Sequence, residues 1–356
     1  MKMCQAFSGI GLDTDLVVPF MNCSTKVDDV FDAYGVKPIY SITSLCRNIP
    51  GGNRLLNRVS IIDFWVSIVR YLIASRPHMV YGRYLPGCYI ACLLGIPTAY
   101  ESHAKIWERT VENYLFLRML NNPNFKKLVV ISEALKIRYQ KKYKMNPEKI
   151  LVAHDGADPV NDTQGIRPWP GRSDCLQVGY TGSAYRGRGL RIIEKVARKL
   201  ADVDFHVVGS FKQDLENLVG KVIPENLICH GRLPHAVIYR YLNSCDVLLA
   251  PYQNKVQVFG GGGNTADFMS PLKIFEYMAC GKPIIASDLE VLHEVLDDNN
   301  TIFVTADDVD GWVNAVEKTR DSSLRSKMGR NALHKFINNF TWDQRAKNII
   351  TKIFNH

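Results

Sequence analysis

Three polar side chains lie within the short stretch Ser270 to Ala279: Lys273, Glu276 and Tyr277, at spacings of three and four. On an α-helix these positions share one face, so a cation, a carboxylate and a phenol would stand side by side. Ser270 suits the N-cap, Pro271 the first helical position and Gly281 the residue after the last turn. Leu272, Phe275 and Ala279, with Ile274 and Met278 beside them, read as the buried stripe opposite. Such a polar face is either a solvated ion pair of little energetic weight or a ligand surface, and its position in the fold decides. The apolar run Pro283 to Ala286 reads as a strand of a parallel sheet, which puts the helix N-terminus at the carboxyl edge where such sheets bind ligands. A phosphate docked there would meet free N–H groups, with Glu276 further in to accept from sugar hydroxyls.

A second candidate is the turn Thr181-Gly182-Ser183-Ala184-Tyr185-Arg186-Gly187-Arg188-Gly189, between a strand and a helix. Gly182 and Ser183 let the backbone approach a ligand, and Arg186 or Arg188 offers a guanidinium to a diphosphate. The glycine spacing is not that of the dinucleotide fingerprint. A third is His103, which closes the strand Thr98 to Tyr100 in a run with Glu101 and Lys105. Alone, such a histidine is more often structural than functional.

The elements that must position these residues alternate between apolar strands and amphipathic helices over most of the chain, the pattern of parallel α/β folds. Helices are expected at Ile61–Ala74, Gly87–Leu94, Thr110–Leu120 and Glu133–Lys142, with strands at His78–Tyr81, Thr98–Tyr100, Leu128–Ile131 and Lys149–Ala153. A Pro- and Gly-containing stretch from Ala157 to Cys175 reads as a linker. A fresh alternation then runs from the strand Leu176–Tyr180 to the strand Pro283–Ala286, with a glycine-rich loop at Gly260–Gly263, and the helix Trp342–Phe354 closes the chain. The expected fold is therefore α/β, two tandem Rossmann-like parallel domains facing a cleft. The first spans 1–160, the second 173–340, and the helix 342–354 packs back on the first. The chain opens on a helix, Met3 to Ile10, followed by the strand Asp15 to Pro19, so the strand that should precede that helix is expected to be missing.

The composition fits a two-core protein: 356 residues, 46% hydrophobic and 22% charged. A formal net charge of +9, with bunches such as Lys141-Lys142-Tyr143-Lys144, favours anionic partners: phosphorylated small molecules, lipid headgroups or nucleic acid. The basic residues do not interleave with aromatics on one surface, which argues against nucleic acid. The nine cysteines are scattered without zinc-type spacing, and Cys88 and Cys92 read as core thiols. With no leader pattern and no long apolar run, a cytoplasmic protein is expected, peripheral at the membrane face if it works on lipid. The glycosylation triplets at Asn22 and Asn161 are then chance matches.

Taken together, Ser270-Pro271-Leu272-Lys273-Ile274-Phe275-Glu276-Tyr277-Met278-Ala279 and Gly281 to Asp288 resemble the donor-site signature of the family-four (group 1) retaining glycosyltransferases with the GT-B fold. Val178 to Ser183 with Arg188-Gly189, Asp246 to Tyr252, Tyr100 to His103, Val130 to Glu133 and Asp155 to Asp158 agree with it, so the likeness covers nearly the whole chain. The resemblance implies transfer of a sugar from a nucleotide-diphosphate donor to a glycan or lipid-linked acceptor with retention at the anomeric carbon, without a metal or other cofactor. It implies that Glu276 binds the donor ribose and Arg188 the diphosphate. Leu272 and Lys273 would give backbone N–H groups to the phosphate, and His103 would sit at the transferred sugar. Two positions depart from the family: Phe268 stands where a second glutamate is common, with Asp267 beside it, and Gly182 stands where a second basic residue is common, leaving Ser183 or Arg186 to compensate. Two other readings remain open: a non-catalytic nucleotide or glycan binder, and another enzyme of the same architecture such as a sugar-nucleotide epimerase.

Overall fold

The computed structural model describes residues 1–20, 27–46, 54–106, 110–160, 172, 174–257 and 264–354. The glycine-rich loop Gly260–Gly263, most of the linker and both glycosylation triplets lie outside them. The chain divides into two units, Met1–Ala153 with Arg345–His356, and His154–Gln344.

The first unit runs α1 (Lys2–Gly9), β1 (Asp15–Phe20), α2 (Val27–Tyr34), β2 (Ser41–Cys46), α3 (Arg54–Ser75), β3 (Val80–Gly82), α4 (Leu85–Leu93), β4 (Thr98–Ser102), α5 (Val111–Leu120), β5 (Phe125–Val130), α6 (Glu133–Tyr143) and β6 (Ile150–Val152). Every strand pair is parallel. Ala99, Leu128, Val129 and Val130 are fully buried, as expected where helices cover both faces of a parallel sheet. Side-chain caps set two helix starts: the Thr110 hydroxyl accepts from the Asn113 N–H and the Ser132 hydroxyl from the Leu135 N–H. Among the described residues the sheet is in two parts, β1-β2 and β3-β4-β5-β6, with no strand pairing between them. Asp15 at the head of β1 holds the smaller part together, accepting from Ser41 (2.8 Å), Thr43 (2.7 Å) and the Tyr71 hydroxyl of α3.

The second unit runs β7 (Gln177–Thr181), α7 (Leu190–Lys199), β8 (Asp204–Val208), α8 (Lys212–Val219), β9 (Leu227–Cys229), α9 (His235–Asn243), β10 (Val247–Ala250), α10 (Leu272–Ala279), β11 (Ile284–Ser287), β12 (Thr301–Val304), α11 (Val309–Lys318) and α12 (Ser322–Asn339). α13 (Trp342–Phe354) ends the chain and from Arg345 onward belongs to the first unit. The six strands form one parallel sheet in the order β12-β11-β10-β7-β8-β9. The chain starts in the middle at β7, moves outward to β9, and returns to lay β10 on the other side of β7. That reversal is the topological switch point of a doubly wound sheet. α7 buries Leu190, Ile193 and Val196 against Val178, Phe205 and Val207, with Trp312 of α11 completing the layer. Each such side chain contributes about 1.5–3 kcal/mol of transfer free energy. The sheet in each unit makes the fold two Rossmann-like α/β domains in tandem.

Candidate active site

At the switch point β7 ends in Thr181 and its neighbour β10 in Ala250, so the turn after β7 and the loop after β10 leave side by side. Two glycines fit that turn to its surroundings. Gly182 has φ +146°, and a β-carbon on it would lie 2.7 Å from Tyr180 Oη and 3.1 Å from Lys273 Nζ. Gly189, at φ +84°, would drive a β-carbon to 1.8 Å from the Pro251 carbonyl oxygen, so the turn is clamped onto the backbone after β10.

α10 enters this corner from the far side of the loop. Tyr277, wholly buried, accepts from the Thr181 N–H (2.8 Å) and donates to the Leu249 carbonyl (3.2 Å), tying the ends of β7 and β10 to the helix. One turn earlier, the Lys273 ammonium lies 3.8 Å from the centroid of the Tyr180 ring and 5.0 Å from that of Tyr252. Lys273 is buried, and its Nζ has no hydrogen-bond acceptor among the described residues. Burial first, and then the Arg188 guanidinium, push its pKa well below the ordinary lysine value, against the pull of Glu276. Arg188 is half-buried with its Nε enclosed and without an acceptor, its guanidinium 5.4 Å from the centroid of the Tyr185 ring. Tyr180 and Tyr252 are phenols whose pKa burial pushes far up, so they stay neutral beneath the cation. A buried ammonium and a half-buried guanidinium, whose Nζ and Nε have no hydrogen-bond acceptor among the described residues, thus meet at the carboxyl edge, beside the first-turn N–H groups of α10. Chemically this is an anion trap, and a buried cation left without a counter-ion is costly unless a ligand supplies one.

Several expectations for this stretch need correction. Lys273, Glu276 and Tyr277 do not share a solvated face: Lys273 and Tyr277 are buried, Glu276 is half-buried, and Leu272, assigned to the buried stripe, is 48% exposed. The sheet and α12 enclose most of α10, leaving Leu272 exposed and Glu276 half-buried. Ser270 is not the helix cap. Pro271 holds that position without a side-chain bond, and the Ser270 hydroxyl accepts from the Asp155 N–H (2.9 Å). Among the turn residues, Arg186 is exposed while Gly182, Ser183 and Arg188 are partly covered. Phe268 points into the core at 4% exposure and Asp267 is exposed. Tyr180 and Tyr252, which form the floor under Lys273, were not singled out from sequence. Their places at the end of β7 and just after β10 were the available signal.

The remaining candidate, His103, belongs to the first unit and stands just past the end of β4, its ring Nε2 on the Glu101 carboxylate.

Comparison with known proteins agrees with this geometry. Residues 176–321 match the family model described as Glycosyl transferases group 1. That stretch is a group 1 glycosyltransferase domain. It holds β7 to α11, and with them the turn, the two cations and α10. No curated protein matches the sequence. Among solved structures, a glycosyltransferase from Rickettsia africae is similar at 14% identity and TM-score 0.72, over 99% of this chain and 92% of that one. Anabaena HepE in complex with UDP is similar at 13% identity and TM-score 0.69, over 100% and 96%. Sucrose-phosphate synthase from Thermosynechococcus elongatus follows at 16% identity and TM-score 0.69, over 98% and 90%. At these identities the likeness is one of fold, the GT-B arrangement of two Rossmann-like domains.

Proposed function

We propose that the protein transfers a sugar from a nucleotide-diphosphate sugar to a glycan or lipid-linked acceptor, with retention at the anomeric carbon. The observation that carries this reading is the buried Lys273 ammonium without a hydrogen-bond acceptor beside the half-buried Arg188, whose Nε has none either among the described residues, at the switch point of the second unit. In the reaction the bond from the anomeric carbon to the diphosphate oxygen breaks and a bond to the acceptor hydroxyl oxygen forms. The acceptor proton leaves with the diphosphate. Negative charge grows on the departing diphosphate, and Lys273, Arg188 and the first-turn N–H groups of Leu272 and Lys273 are fixed donors for it. The charge is met by side chains, so the proposal needs no metal or other cofactor. Glu276 accepts from the ribose hydroxyls, Gly182 and Ser183 let the backbone reach the phosphates, and His103 serves the transferred sugar.

A lipid-linked acceptor fits the surface of the first unit. Val111, Tyr114 and Leu117 are exposed along α5 with Arg118 beside Tyr114, a mixture suited to the anionic cytoplasmic face of a membrane. No described helix is long and apolar enough to cross one.

The test is thermal stabilisation by UDP, GDP, ADP and CDP, compared with Glu276→Ala. A ligand present at about a hundred times its dissociation constant adds roughly 2.7 kcal/mol. Stabilisation by one nucleotide, lost in the variant, supports the proposal, and none from any of them overturns it. A second reading, nucleotide binding without turnover, draws on the buried Phe268 and the divided sheet of the first unit. Sugar transfer by the wild-type chain would exclude it.

A further inference from the structure

We propose that Glu101 is a positioning residue that fixes the tautomer of His103, so that the ring turns its unprotonated Nδ1 to the substrate. This inference rests on the reading of His103 as a substrate-facing group. The Glu101 side chain is 3% exposed, and a carboxylate so enclosed survives only with donors around it. Three donors surround it. Arg345 of α13 reaches Oε2 through Nη1 (3.3 Å), the Tyr81 hydroxyl of β3 donates to the same oxygen, and His103 Nε2 meets Oε1. Arg345 is itself 2% exposed and gives its other Nη to the Ala153 carbonyl (3.1 Å), so both charges are held by fixed backbone ends.

The division of labour between the two oxygens carries the argument. Arg345 and Tyr81 both go to Oε2, which leaves Oε1 to His103. Burial pushes the Glu101 carboxyl up, but Arg345, then His103 and Tyr81, pull it well below the usual range, so it is ionised. An ionised carboxylate only accepts. The hydrogen in the contact therefore belongs to His103 Nε2, and the neutral ring keeps its lone pair on Nδ1. Nδ1 has no partner among the described residues and the ring is 25% exposed. A sugar hydroxyl can thus donate to Nδ1. With the other tautomer the ring would present a donor there and would lose the carboxylate.

The test combines nitrogen NMR of labelled histidine with transfer kinetics in the full-length protein. Wild type is expected to show neutral His103 protonated at Nε2. Glu101→Gln, whose amide can donate to Nε2, is expected to show a tautomer mixture. Its kcat for transfer should fall about a hundredfold, the scale of a misplaced acid–base or orienting group, with donor KM within about twofold of wild type by the same reasoning. Glu101→Gln takes the carboxylate away from the buried Arg345 guanidinium, so the double variant Glu101→Gln/Arg345→Met removes both charges and keeps the comparison interpretable if the single variant fails to fold. His103 protonated at Nδ1 in wild type, or wild-type kcat in a folded variant lacking Glu101, overturns the inference. If the wild-type chain neither binds a nucleotide nor transfers a sugar, the proposed function fails, yet the tautomer still decides what Glu101 does to His103.

Discussion

Replacing Lys273 with methionine should make the empty protein more stable and the liganded protein weaker. The ammonium is enclosed, rests on two phenol rings and has no hydrogen-bond acceptor among the described residues. Its folded pKa lies below its unfolded one, so folding is opposed at every pH under the unfolded value of about 10.4, and each unit of depression costs about 1.4 kcal/mol. Methionine fills a similar volume without charge, and even one unit recovered would raise the melting temperature of a unit the size of His154–Gln344 by about 3–5 °C. The same substitution removes a charge-assisted contact to the diphosphate, worth about 2 kcal/mol or a thirtyfold change in Kd. A nucleotide that stabilises wild type by roughly 2.7 kcal/mol at a hundred times Kd would then contribute only about 0.9 kcal/mol at the same concentration. Differential scanning fluorimetry with and without the nucleotide reads both effects in one experiment. A variant that melts lower when empty and binds the nucleotide as wild type does would show that Lys273 is a structural cation, and would refute the reasoning.

Other consequences are open to measurement. Tyr277→Phe leaves the Thr181 N–H and the Leu249 carbonyl buried without a partner, an expected loss of about 2 kcal/mol by urea denaturation, together with weaker nucleotide binding. Gly189→Ala sets a β-carbon on the Pro251 carbonyl at positive φ and should abolish cooperative unfolding of the second unit, as read by near-UV circular dichroism. His206 and His230 are pushed down to about 4, by burial in both and by each other's proximity in His206. Gln177 Nε2 donates to the Arg172 and Cys175 carbonyls, so its Oε1 accepts from His206 Nε2, and His230 Nε2 must then donate to His206 Nδ1. A proton added to His206 Nδ1 breaks this chain, and one added to His230 places a charge beside it. The unfolded histidines bind protons near pH 6.5 and the folded ones do not, so stability should fall as pH drops from about 6.5 to about 4, by up to about 1.4 kcal/mol per pH unit for each histidine. Urea midpoints across that range check it, and His206→Gln should flatten the slope.

Periodicity made most of the fold legible, because the strands of a parallel sheet are continuous apolar runs and their crossover helices carry one apolar stripe. β2 escaped notice because Ser41–Cys46 alternates Ser and Thr with few large apolar side chains, and α12 because its buried stripe of Met328, Gly329, Ala332 and Phe336 is narrow and partly of small residues. At the site, the glycine-rich turn and α10 could be placed from their order alone. The burial of Lys273 could not, since a helical wheel sends lysine to solvent. What encloses it are Tyr180 and Tyr252, far away in sequence and brought close only when β10 returns to pair with β7. The partner of Glu101 was hidden for the same reason, Arg345 coming from the last helix of the chain.

The central claim, that the second unit is built around a nucleoside diphosphate, is tested most directly by calorimetric titration of wild type and Arg188→Met. The ligands are one nucleoside and its mono- and diphosphate, with the base chosen as the one that stabilises best. The account expects affinity to step up sharply from mono- to diphosphate in wild type, and the step to collapse in the variant. Equal affinity for nucleoside and diphosphate, or an undiminished step in Arg188→Met, would contradict it.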